Sequence, residues 1–267
     1  MENMNVSVIL PIESYKHKNF EELFTASIKS IQNQTTAVNE LVLVHSDEEA
    51  LTSYLKNFDF SGLTVNLVEN TGNTDFSSQM NLGVENAKSE WVSFLEFDDE
   101  YASIWFKNVK RYVEAYPNVK GFLSLVVDVD DKGVFAGFTN EATFAASMNT
   151  EIGMLTNEVL LNYQNFQSSG MVIKKETYQE MGGFKPSMKL TFVYEFLLRL
   201  TYNSVDMMTI PRIGYKHVNL REGSIFWNYK NGEQRVTDDE VKFWLDAAKK
   251  EHFFIEDRNI KYEPSEV

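Results

Sequence analysis

Glu90-Trp91-Val92-Ser93-Phe94-Leu95-Glu96-Phe97-Asp98-Asp99 decides how the rest of the chain reads. Residues 91–95 are aromatic and nearly continuous in apolar character, as a strand covered on both faces must be. The run then ends in three carboxylates within four residues. In an extended segment Glu96 and Asp98 share one side, Phe97 and Asp99 the other. Carboxylates this close repel unless a cation compensates them. Hard oxygen ligands suit Mg²⁺ or Mn²⁺, commonly bridged to phosphate oxygens. A solvated acidic turn is the bland alternative, and the position after a buried strand favours a site.

Upstream of this stretch, residues 6–10, 41–44 and 63–68 are similar apolar runs, the first stopped by Pro11. Between them lie stretches with apolar residues every three or four positions, from Leu23 through Gln34 and over 48–58. A third helix is expected over 76–88, with Asp75 or Ser77 as its N-cap. Strand and helix alternate, which predicts a doubly wound, mostly parallel α/β sheet flanked by helices. Ligands of such sheets sit outside the carboxyl ends of the strands. The informative residues are then 11–14, 45–47, 69–73 and 96–100.

Downstream the pattern is less regular. Helices are expected over 105–116, 192–202 and 238–253, and strands over 121–129, 134–138 and 170–173. Asp128-Val129-Asp130-Asp131 repeats the acidic spacing, but Lys132-Gly133 and a renewed β pattern read as a hairpin turn.

Composition narrows the function classes. The chain has 267 residues, 43% of them hydrophobic, no cysteine and a formal charge of −14. Thiolate chemistry and disulfides are excluded. The acidity argues against a protein held mainly by phosphate backbones or anionic lipid. No apolar run approaches the ~20 residues of a membrane span, and residues 1–11 do not resemble a signal peptide. A cytoplasmic protein is the expectation.

Several motifs in order resemble the family 2 glycosyltransferases. Residues 6–11 look like the family's opening strand, 27–35 like its first helix with the terminal Gln34-Thr35, and 40–44 like its second strand. Gly72-Asn73, Ser77 and Asn81-Leu82-Gly83 match its Gly-Asn, Ser and Asn-x-Gly stretch. Residues 90–99 match the strand ending in Asp-x-Asp-Asp, and Gly182-Gly183-Phe184 matches its Gly-Gly-Phe loop. The resemblance spans roughly residues 5–225.

It implies a GT-A fold with an acceptor-side subregion and a C-terminal helix. It also implies a nucleotide-sugar donor carrying UDP or GDP, Mn²⁺ or Mg²⁺ on its diphosphate, and transfer with inversion to a glycan, small-molecule or lipid-linked acceptor. Asp98 and Asp99 are the implied metal residues. Pro11, Glu13, Ser46, Asp47, Asn81, Glu96 and Arg221 are implied around the donor. One domain is expected over 1–230, its donor half about 1–100 and acceptor half about 101–230, with a helical extension over 231–267.

The departures fall on named residues. Glu96 stands where the family usually has Asp, and His45-Ser46 stand where it usually has an Asp pair. With Arg199 set on the family's helix arginine, Phe192-Val193 replace its Glu-Asp, and Glu195 falls on a later acidic position. Glu195 is the candidate base after a small shift of the helix; an i,i+4 pair with Arg199 is the alternative. His217 and Arg221 follow Ile210-Pro211-Arg212, where the family often carries Arg, His or both before a Ser, and Arg221, just before Glu222-Gly223-Ser224, is expected to contact the donor diphosphate. Two other readings stand beside the enzyme: a non-catalytic nucleotide-sugar or glycan-binding module, and a glycosyltransferase acting on a modified DNA base. The last rests on Lys107, Lys110 and Arg111, which a solvated helix face explains as well.

Overall fold

The computed structural model describes residues 2–141, 153–219, 221–222, 224–232 and 235–256, without the side chains of Ile225 and Phe226. Gly223 and the tail beyond residue 256 therefore lie outside the described residues.

The first half alternates as its apolar spacing predicts. β1 (Asn3–Ile12), α1 (Phe20–Gln32), β2 (Ala37–His45), α2 (Glu49–Asn57), β3 (Val65–Glu69), α3 (Phe76–Asn86) and β4 (Trp91–Phe94) follow in order. The Asp75 side chain caps α3 by accepting from Ser78 N at 2.9 Å. β5 (Glu100–Tyr101) and α4 (Trp105–Ala115) come next. β6 (Gly121–Val129) turns into β7 (Phe135–Thr139). Asp130 Oδ1 accepts from the backbone of Lys132 and Val134 at 2.9 and 2.8 Å, so this acid closes the expected hairpin.

β8 (Met154–Leu155), α5 (Asn157–Asn162), β9 (Val172–Lys174), α6 (Lys175–Glu180) and α7 (Phe192–Tyr202) continue the chain. β10 (Met207–Val218), α8 (Ile225–Asn231) and α9 (Asp238–Glu251) complete it. A Thr237–Glu240 capping box starts α9.

The sheet order is β3-β2-β1-β4-β9-β6-β10-β5, with β7 on β6 and β8 on β10. β1 to β4, β6 and β10 run one way; β5, β7, β8 and β9 run against them. The long central strands thus deliver their carboxyl ends to one edge. β2 and β4 lie on opposite sides of β1, so the chain switches direction there, where α/β sheets open a crevice.

Apolar layers cover both faces. One packs Phe20, Phe24, Ile28 and Trp105 against β1, β2 and β6; the other packs Met80, Val84, Tyr178, Phe184 and Phe196 against the opposite side. Gly83 lets α3 lie directly on β1, because a Cβ there would stand 2.3 Å from Ile9 Cγ2. α9 packs on α7, with Ala248 buried in the second layer. Among the described residues no helix is long and apolar enough to cross a membrane.

Candidate active site

The acidic run leaves β4 at the shared edge and is met by β10. Tyr215, in the β10 interior, brings its hydroxyl under the backbone N–H of Glu96, which donates to it at 3.0 Å. Two residues on, and so on the same face, His217 Nδ1 lies 2.9 Å from Asp99 Oδ2. Asp99 Oδ1 accepts from Val218 N at 2.8 Å, which fixes this buried carboxylate against the strand. Glu96, Asp99 and His217 each offer one ligand atom, all within 4.8 Å of one another. Ligands facing each other across an octahedral Mg²⁺ are about 4.2 Å apart, so the spacing suits one ion. Two carboxylates and an imidazole are donors that Mn²⁺ and Mg²⁺ accept, the imidazole favouring Mn²⁺.

Asp98 takes a different partner. Arg221 Nε donates to Asp98 Oδ2 at 2.6 Å, and the arginine lies with its guanidinium carbon 5.0 Å from the Phe97 ring centre. Asp98 is not among the three clustered donors.

Electrostatics follow from crowding. Burial and the charge of Asp99 push the Glu96 carboxyl up to about 8, against the pull of His217. Burial and Asp99 likewise raise Asp98, against Arg221. Burial works against a charged His217, yet the adjacent Asp99 outweighs it and holds the imidazole up to about 10. Fully ionised, three carboxylates face the two cations His217 and Arg221, and a divalent cation there would take the place of the proton that the raised Glu96 carboxyl holds.

Other expected donor residues gather at the neighbouring strand ends. Pro11, one residue before the end of β1, pairs with Val44, and Ser46 N donates to Ile12 O at 3.3 Å, joining the β1 and β2 exits. Ser46 Oγ is buried with no hydrogen-bond partner among the described residues. Glu13 and Asp47 stand exposed beside them.

Two of the expected site residues are held in internal networks. Asn81 is buried and bonds the Gly182-Gly183-Phe184 loop and Tyr178. Its Nδ2 donates to Phe184 O at 2.8 Å, and its Oδ1 accepts from Phe184 N at 3.0 Å and Tyr178 Oη at 2.7 Å. It therefore pins the Gly182-Gly183-Phe184 loop, where Gly183 adopts φ +63° and a Cβ would meet Asn81 Oδ1 at 2.5 Å. Glu195 is no open base. Its carboxylate is fully buried and accepts from Arg199 Nε and Nη2 at 2.9 and 2.7 Å, with Lys185 Nζ 3.2 Å away. Arg199 also bonds the carbonyls of Met181 and Gly183, so the cluster braces the glycine loop.

His217 belongs to the site although the opening motif does not name it. Its sequence signal is the alternation Tyr215-x-His217, hidden because Pro211-Arg212 interrupts the strand; the β6 pairing shifts register on either side of Ile213. Asp128 also sits nearer the site than a hairpin reading implies. It pairs in register with His217, and Thr139 donates to it at 2.6 Å. The basic trio on α4 is partly neutralised, since Lys110 pairs with Glu2 at 2.6 Å.

The model for the family described as glycosyl transferase family 2 matches residues 7–164, more than half of the chain. This chain belongs to glycosyl transferase family 2. A relative from Haemophilus influenzae, named as an uncharacterized glycosyltransferase, is 24% identical over 200 residues, 73% of this chain and 61% of that protein. The structure of S. aureus TarS 1-349 in complex with UDP-GlcNAc superposes with a TM-score of 0.65 at 16% identity, over 92% of this chain and 65% of that one. The same fragment with UDP gives 0.59 at 16% identity, over 80% and 60%. The chain thus spans less than two thirds of the length of these relatives. The α/β architecture with its mostly parallel central sheet, expected from the alternation, is that of these GT-A neighbours.

Proposed function

We propose that the protein is an inverting, metal-dependent glycosyltransferase that takes a sugar from a nucleoside-diphosphate donor, UDP-linked in the first instance. The observation that carries this reading is the Glu96–Asp99–His217 constellation at the carboxyl edge of the sheet, beside Asp98 and Arg221. The TarS structures hold UDP and UDP-GlcNAc on the same fold, which supports the choice of nucleotide.

Glycosyl transfer passes through an oxocarbenium-like state while the leaving diphosphate gathers charge. A divalent cation there would supply Lewis-acid stabilisation of that diphosphate. This chain's residues do the rest. Glu96, Asp99 and His217 present the ligand atoms, and Val218 N and Tyr215 Oη fix the backbone and carboxylate that carry them. Arg221 has the planar, permanently charged group suited to bidentate phosphate contact. This reading gives the nucleoside the side lined by the exits of β1 and β2, with Pro11, Glu13, Ser46 and Asp47, and the Ser46 hydroxyl, without a partner among the described residues, suits a base or ribose contact. Inversion needs a base opposite the leaving group.

The burial of Glu195 favours a second reading, in which the chain binds the donor without turning it over. One experiment separates the two: transfer and donor hydrolysis with a panel of UDP- and GDP-sugars plus Mn²⁺. Turnover that disappears in Asp99→Asn supports the enzyme. Donor binding with no turnover under any acceptor condition supports the binding module.

A further inference from the structure

The closing segment after β10 does more than reach the acidic run. Arg221 and Asp98 bury each other to about a tenth of their side-chain exposure, 10% and 9%. The ring of Phe97, next to Asp98 in sequence, is stacked by His17 at 4.8 Å and 27°, and Arg221 lies against the same ring. Arg221 Nη1 donates to Glu222 O at 3.3 Å, and Glu222 reaches Lys18 at 3.2 Å. Three contacts therefore tie Arg221 and Glu222 to the acidic run and the β1–α1 loop: Arg221–Asp98, Arg221–Phe97–His17 and Glu222–Lys18.

The geometry points to Arg221 as a resident counter-cation: it neutralises Asp98 in the free protein and leaves it for the donor diphosphate when a divalent cation arrives. This rests on the metal-and-diphosphate reading proposed above. Asp98 is buried among acids and would be costly to leave unpaired, so an internal cation holds it. A divalent ion on Glu96, Asp99 and His217 would place positive charge next to that guanidinium. The two repel, and the ion alone binds against Arg221. A diphosphate offers the guanidinium a better, bidentate partner. Cation and nucleotide then bind weakly apart and tightly together, a coupling that is reciprocal by linkage. Arg221 and Glu222 exchange the Phe97 and Lys18 contacts for contact with the donor.

The test measures Mn²⁺ affinity of the full chain by titration, with and without UDP, in the wild type, Arg221→Gln and Lys18→Gln. In the wild type UDP is expected to tighten Mn²⁺ about tenfold. Arg221→Gln is expected to bind Mn²⁺ alone about tenfold more tightly than the wild type and to lose the tightening by UDP. Lys18→Gln, at an exposed position that folding tolerates, is expected to shift Mn²⁺ affinity in the same direction by about twofold. Unchanged or weaker Mn²⁺ binding in both variants, with UDP coupling intact, overturns the counter-cation role and leaves the metal reading standing. No Mn²⁺ binding by the wild type even with UDP overturns the metal reading itself, and the counter-cation role with it.

Discussion

Two clusters of charged side chains in this protein are built in opposite ways. Around Glu195 the carboxylate is matched by Arg199 from its own helix and Lys185 from the glycine loop, and all three side chains are buried. Lys185 goes on to bond Glu251 O at 2.8 Å, tying the end of α9 to the same cluster. At the strand ends three carboxylates, Glu96, Asp98 and Asp99, share His217 and Arg221 as cationic partners among the described residues, and Glu96 keeps part of its surface open. The first cluster is closed and neutralised by the protein itself. The second gathers more carboxylates than cationic partners at the edge where ligands of α/β sheets bind. What already neutralises a carboxylate decides its role more firmly than its place in a motif does.

The sharpest way to break this contrast is to remove one partner from the closed cluster. Glu195→Gln strands Arg199 and Lys185 as buried cations, at a cost of about 3–5 kcal/mol. A chain of this size then loses about 10 °C in Tm. Thermal unfolding checks this. A variant with wild-type Tm that loses only transfer would make Glu195 a base after all. Asn81→Ala comes next, with about 1–3 kcal/mol lost because the Phe184 N–H and C=O give up their partner. UDP affinity should stay unchanged, which calorimetry reads directly.

The open cluster should respond in the other sense. Glu96→Gln removes a crowded carboxyl, so the metal-free variant should be at least as stable as the wild type at pH 8. Its Mn²⁺ affinity in the presence of UDP should fall about tenfold or more. A smaller effect concerns pH. The Glu96 carboxyl is raised to about 8 and His217 to about 10, so the native state holds protons that the unfolded chain has released. Stability is then fully present below the unfolded values and is lost as pH rises through the folded ones. Metal-free Tm should fall steadily from about pH 5 to about pH 9, and saturating Mn²⁺ should flatten that fall. A Tm that rises over this range would contradict the assigned crowding.

The contrast also explains what could be read from the chain before its structure. β1 to β4 are legible because continuous apolar runs stop at Pro11, His45, Glu69 and the acidic cluster, and the intervening helices keep a regular apolar spacing. That places the acids at the correct edge. β10 is not legible, because Pro211-Arg212 breaks its apolar alternation and shifts its register on β6. The sequence marks His217 only as part of the closing segment with Arg221; that Tyr215 and His217 reach Glu96 and Asp99 takes the path of β10. β5 and β8 have two residues each, too short for any periodicity to mark. The enclosure of Glu195 was hidden for another reason: an acid and an arginine four apart look the same on a solvated helix as inside a core. Only the packing of Lys185 and the Met181 and Gly183 carbonyls onto α7 distinguishes them.

The central claim is that the strand-end acids hold a divalent cation together with a nucleotide diphosphate. Titration of Mn²⁺ into protein with UDP present, comparing the wild type with Asp99→Asn, tests it most directly. One saturable ion per chain in the wild type, lost in Asp99→Asn while the variant stays folded, is the predicted result. A stoichiometric ion retained by Asp99→Asn with undiminished affinity would contradict the account.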